Sequence, residues 1–150
     1  MAIMGLNTEA TVRYVSDLDP CKKKDGTWKP GATVWVIGTL DSYTEGRIKD
    51  QLTNYDISED KDEPTVRINI HDAAIEACRF GIKGWEKFQD DKGNEIKFET
   101  TTTFIKGRKY QVVKDSTLAQ IPSEILMELY RVIKDKNSVS EDETKNSEEG

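Results

Sequence analysis

The clearest periodicity lies late in the chain, where Ile125, Leu126, Leu129, Val132 and Ile133 recur at the i, i+3/i+4, i+7 spacing of a helix with one apolar stripe. Glu124, Glu128, Arg131 and Lys134 fall outside that stripe. Pro122 suits a first helical position, so the pattern predicts a helix from there to about Lys136. Past Asn137 no apolar period remains, and the Ser-, Glu- and Asp-rich ending reads as a solvated, disordered acidic tail.

Period-two patterns occupy the first half. Thr11–Val15 and Thr33–Leu40 are rich in β-branched and aromatic residues, and between them lie Asp19-Pro20, Asp25-Gly26 and Pro30-Gly31, all turn chemistry. Two strands joined by a long, partly basic loop follow from this. Ser42 with Glu45 three residues on forms a capping-box pattern, and Tyr43, Ile48 and Leu52 can line one face of a short helix to about Thr53. Ser58–Glu63 is then an acidic loop.

Val66, Ile68 and Ile70 alternate as in a half-buried strand, after which Asp72–Phe80 becomes helical, capped by Asp72, with Ile75, Cys78 and Phe80 turned inward and Gly81 as the stop. Trp85, Phe88, Ile96 and Phe98 flank Asp90-Asp91-Lys92-Gly93-Asn94, which predicts a hairpin turn with aromatic arms. Thr100–Ile105 and Tyr110–Val113 form another strand pair around Lys106-Gly107-Arg108, and Ser116 opens a short helical turn ending near Ile121. The fold class predicted is α+β: a small antiparallel sheet of hairpins packed with about three helices. It comprises a single domain over residues 1–137 and the acidic tail over 138–150.

Charge sharpens this picture. The net charge is −6, and residues 138–150 hold five acids against Lys145, so the tail carries four of the six negative charges. That balance argues against nucleic acid as a partner, because phosphate binding needs clustered cations. The longest apolar run, Val34–Ile37, is far too short to span a membrane, which points to a protein that stays in the cytoplasm where it is made.

Chemistry is sparse. His71 and Cys78 would share a helix face but stand roughly 10 Å apart along its axis, beyond hydrogen-bond reach. One histidine and the two distant thiols Cys21 and Cys78 do not make a zinc site, and the two cysteines read as a loop thiol and a packed thiol. The acidic run from Asp90 fails the calcium-loop pattern, since Gly93 is fourth and Thr101 twelfth. No catalytic residue, metal or cofactor is assigned, and the chain reads as a non-enzymatic binding protein. Lys22, Lys23, Lys24 and Lys29 surround Trp28, a mixture able to stack on bases but equally at home as a solvated loop. Trp85 reads first as core. Its alternative is a partner anchor, presented with Phe88 by a tight segment bracketed by Gly81 and Gly84, and Trp28 is a further candidate contact.

The segments Ala32–Leu40, Arg79–Phe88 followed by Asp91–Asn94, and Ile121–Ile125 with Glu128-Leu129 resemble a family of small tailed-phage proteins usually described as tail assembly chaperones or left unnamed. The last helix running into a Ser-Glu-rich ending with Lys145-Asn146-Ser147 is part of the likeness, which covers most of the chain from about residue 32. The resemblance implies binding to a hydrophobic segment of the tape-measure protein, or to other tail proteins, in the host cytoplasm. It brings no catalytic residues. Two rival readings stand beside it: a structural component at the neck or tail of the virion, and an acidic inhibitor of a host defence protein whose carboxylates take the place of phosphates.

Overall fold

The computed structural model describes residues 2–56 and 65–149, so the acidic loop expected at Ser58–Glu63 lies outside the described residues. The elements are β1 (Thr11–Tyr14), β2 (Val34–Gly38), α1 (Ser42–Leu52), β3 (Thr53–Asp56), β4 (Thr65–Ile68), α2 (Ile70–Gly81), β5 (Ile82–Glu86), β6 (Thr100–Ile105), β7 (Arg108–Val113), α3 (Asp115–Leu118) and α4 (Ser123–Glu149). This is a mixed α+β fold. Among the described residues no helix is long and apolar enough to cross a membrane.

β2 is the central strand of an antiparallel sheet ordered β1-β2-β5. Its side chains alternate between two apolar clusters, as a strand covered on both faces requires. Trp35 and Ile37 face the main core, built with Leu40, Ile48, Phe80, Ile82, Val112, Val113, Leu129 and Ile133. Val34 faces a smaller cluster with Val15 and Ala32, over which Cys21 and Trp28 pack. β3 and β4 form one separate hairpin and β6 and β7 another. The β6–β7 connection is the two-residue Lys106-Gly107 turn, with positive φ at both positions (49° and 81°), the twist that suits tight hairpins.

Several local expectations change. Asp41, not Ser42, caps α1, because Asp41 holds an extended backbone and its Oδ1 accepts from the Thr44 amide at 2.9 Å. Ile48 is buried in α1 while Tyr43 is 46% exposed, its ring met by the Arg108 guanidinium at 5.7 Å. The helix gives way at Thr53 to strand β3, an element the sequence reading did not assign, and Ile70 opens α2 rather than closing β4. Asn69 occupies the cap position of α2, which leaves Asp72 in the first turn. The buried stripe of α2 runs through Ala73, Ala74, Ala77, Cys78 and Gly81, so Ile75 falls beside it and is 41% exposed.

Gly81 is the last residue of α2 but has no positive φ, so its role is not that of a left-handed stop. A Cβ there would lie 2.7 Å from Ile133 Cδ1 and 3.0 Å from Cγ1, which makes glycine the condition for close α2–α4 packing. Along α4, Leu129 and Ile133 are fully buried, with Ile125, Leu126 and Val132 packed around them, as the stripe predicts. The backbone stays helical to Glu149, past the Lys136 at which the stripe ends. No glycine or proline occurs between Pro122 and Gly150 to stop it.

Gly81→Ala should destabilise the fold by about 1–3 kcal/mol through overpacking. Adding Ile133→Val, which removes the nearest atom, should make the double variant less unstable in urea than the two single losses combined. Asp41 gives a second expectation. Burial pushes its carboxyl upward, but hydrogen bonds from Tyr110 (2.6 Å) and Thr44, with Arg108 nearby, outweigh burial and hold it below the usual carboxylate range. A depressed folded-state pKa contributes stability above the unfolded value of about 4, and that stability is lost as pH falls through the folded value. Asp41→Asn should therefore show a shallower loss of stability between about pH 5 and pH 2 in chemical denaturation.

Candidate functional site

Two polar ties position the first loop against α4. The Glu128 carboxylate accepts hydrogen bonds from the Tyr14 hydroxyl, the Ser16 hydroxyl and the Asp17 amide, the last at 2.8 Å. The stripe pattern placed Glu128 on the solvent side. It instead stands beside the stripe and receives donors from β1 and the residues just after it. Burial, followed by the bond to Glu128 and its charge, pushes the Tyr14 phenol well above its ordinary pKa. Lys22 completes the tie: its Nζ donates to the Val15 carbonyl (2.8 Å), pairs with Asp17 (2.6 Å) and sits 4.6 Å from the Tyr14 ring centroid.

Asp19 organises the loop next to this latch. Its Oδ1 accepts from the Cys21 amide and its Oδ2 from the Thr33 amide, both at 2.9 Å, while Thr33 Oγ1 donates to the Lys87 carbonyl at 2.8 Å. Lys87 has φ 58°, a left-handed conformation that costs a non-glycine residue about 1–2 kcal/mol. That turn redirects the chain from β5 into the hairpin that follows. The Asp90–Asn94 turn closes as expected, with Asp90 Oδ1 accepting from the Lys92 and Asn94 amides, and Gly93 at φ 81°.

These elements enclose a groove of about 500 Å³. Leu18, Pro20 and Cys21 form one wall, Pro122 and Ile125 at the start of α4 form another, and Trp35 and Phe88 line it between Lys87 and Asp90. Leu18 is 60% exposed at its lip. The groove is an open apolar trough with charges at its rim, an arrangement able to take an extended apolar segment of another chain.

The structure distributes the predicted contact residues differently from a single exposed anchor. Gly81 is buried under Ile133, and Gly84 sits in β5 opposite Val36, so the segment between them is sheet rather than a projecting loop. Trp85 lies directly across from Trp35, with ring centroids 5.5 Å apart, and its Nε1 donates to the Ile96 carbonyl at 2.7 Å. Phe88 and Phe98 pack edge-on against Trp85 at 5.1 and 5.0 Å. Trp85 packs within this aromatic group and also lines a separate open pocket with Phe88, Ile96 and Phe98, while Lys87 and Phe88 of that segment reach the groove. Trp28 packs, half-buried, on the small cluster of Val15, Ala32 and Val34, and Lys22 beside it is engaged in the latch.

Leu18, Pro122 and Ile125 were not read as contact residues from the sequence. Leu18 stands in turn chemistry without period, and Ile125 was absorbed into the helix stripe. Cys78 is fully buried, its thiol 3.5 Å from the Leu126 carbonyl and pushed up to about 12 by burial, while His71 is exposed in the first turn of α2. Comparison with family models, with curated proteins and with solved structures found no match.

Glu128→Ala leaves the Tyr14, Ser16 and Asp17 donors without their shared acceptor and should cost about 2 kcal/mol in urea denaturation. The amides of Asp17 and Leu18 should lose hydrogen-exchange protection before those of α2 and α4.

Proposed function

We propose that this chain is a non-enzymatic assembly factor that holds an extended apolar segment of another protein in the groove between the first loop, the Phe88 hairpin and the start of α4. The observation that carries this reading is the groove itself: an apolar trough kept open by Asp19, Thr33 and the left-handed Lys87, with Leu18 unpaired at its lip. The resemblance of Arg79–Phe88 and its neighbours to tail assembly chaperones makes a tape-measure segment the proposed occupant. Such a segment is long and apolar before tube subunits enclose it, and a groove that covers a few side chains at a time suits reversible protection.

A groove that takes apolar side chains against Leu18 and Ile125 does not tolerate a carboxylate there, because occupancy would desolvate it without a counter-charge. Leu18→Glu and Ile125→Glu should each weaken binding to tape-measure fragments about tenfold or more, with thermal unfolding of Leu18→Glu near that of the parent protein. Titration followed by intrinsic tryptophan fluorescence, to which Trp35 in the groove contributes, reads this. Unchanged affinity in both variants excludes the groove, and quantitative mass spectrometry of lysate and purified particles separates an assembly factor from a virion component.

A further inference from the structure

At the end of β2 away from the groove lies a smaller pocket of about 270 Å³, lined by Thr39, Asp41, Lys83, Arg108 and Tyr110 among others. Thr39 is separated from Trp35 of the groove by roughly 13 Å of extended chain, so the two cavities are distinct. Charge reverses sign here. Lys83, Arg108 and Lys109 line the pocket against Asp41 as its single acid, in a chain whose net charge is −6. Both oxygens of Asp41 are already engaged, Oδ1 by the Thr44 amide at 2.9 Å and Oδ2 by the Tyr110 hydroxyl at 2.6 Å.

The cations facing Asp41 have no such partners. The Arg108 guanidinium lies 5.7 Å from the Tyr43 ring centroid and 5.9 Å from that of Tyr110, which fix its position by cation–π contact. Its approach to Asp41 is 3.9 Å, beyond hydrogen-bond range, so its fork of N–H donors is unused among the described residues. Lys83 is seated on Gly38, where a Cβ would lie 2.7 Å from its Cε and 2.8 Å from its Cγ. No hydrogen bond or ion pair to a described residue engages its ammonium. Burial lowers the pKa of that ammonium, and the Asp41 charge offsets this only in part, which marks a cation short of counter-charge.

We propose that this pocket binds the phosphate group of a small molecule, with Arg108 supplying a bidentate fork and Lys83 a point charge. Charge complementarity selects this ligand. Three cations against one acid leave the lining at +2, and a phosphate monoester carries close to −2 at neutral pH, with three oxygens to share between Arg108 and Lys83. A carboxylate brings half the charge and one oxygen fewer.

Inorganic phosphate and acetate, titrated at constant ionic strength into the ¹⁵N-labelled full chain, test this. Phosphate should shift the amides of Thr39, Lys83 and Arg108 saturably, and acetate should bind more weakly. Arg108→Gln and Lys83→Gln should each weaken phosphate binding about tenfold or more, the usual scale for a lost hydrogen bond to a charged group. Lys24→Gln, an equal change of net charge at an exposed position in the first loop, should leave it unchanged. Gly38→Ala removes no charge and should still weaken binding by displacing Lys83, and the amide spectrum shows whether each variant is folded. Shifts spread over the surface lysines, acetate binding as tightly as phosphate, or folded Arg108→Gln and Lys83→Gln variants that bind like Lys24→Gln would each overturn the proposal. No groove residue takes part, so the two readings fail separately.

Discussion

Ile133 of α4 lies against the backbone of α2 at Gly81, closer than any side chain at residue 81 would allow. β5 begins at the next residue, Ile82, and carries Trp85 toward Phe88, while α4 begins ten residues before Ile133, where Pro122 just ahead of it and Ile125 in its first turn form part of the groove wall. The Phe88 side and the α4 side of the groove are therefore linked through this helix–helix contact. Close-packed interiors transmit such constraints because they have little free volume in which to absorb a shift. Cys78 belongs to the same helix pair, its thiol meeting the Leu126 carbonyl about two α4 turns nearer the groove. Its burial makes it a packing residue whose chemistry is suppressed.

The other side of the groove is held by different forces. β1 and the loop after it contribute few fully buried apolar residues, Val15 foremost among them, and so cannot be fixed by packing alone. Polar ties do this instead, with Glu128 collecting three donors and Asp19 two amides. Bonds to an ionised acceptor are among the stronger ones available in a partly buried setting, and removing the acceptor leaves several donors unmet at once. The groove thus has one wall set by packing and one set by hydrogen bonds, so the second is the wall that can open without disturbing the core.

The legibility of the sequence followed the same division. The α4 stripe and the Lys106-Gly107 hairpin were legible because each signal is local: a helical period in one case, a two-residue turn in the other. β5 was not, since its five residues contain Gly84 and take their strand character from pairing with β2, across which Trp35 meets Trp85. Asp41 was overlooked as a cap because the Ser42-to-Glu45 spacing fits the same motif one residue later. Glu128 was read as solvated since its donors lie more than a hundred residues away in sequence, where no period can reach. Gly81 was correctly marked as the helix end, but the reason for glycine there is a side chain of α4. Of the candidate contact residues, Phe88 reaches the groove, Trp85 lines a second open pocket beside it, Gly81 and Gly84 lie in α2 and β5, and Trp28 packs on the small cluster.

Charge placement bears on how such a molecule behaves among its neighbours. Four of the six net negative charges fall in residues 138–150, which leaves the rest of the chain close to neutrality. A nearly neutral body has little long-range repulsion between copies, so short-range complementarity decides whether surfaces meet. The two least protected surfaces of that body differ in kind. The groove offers apolar side chains and a charged rim, which selects for apolar content in its occupant, whereas β6 offers backbone hydrogen-bonding groups, which any strand can satisfy.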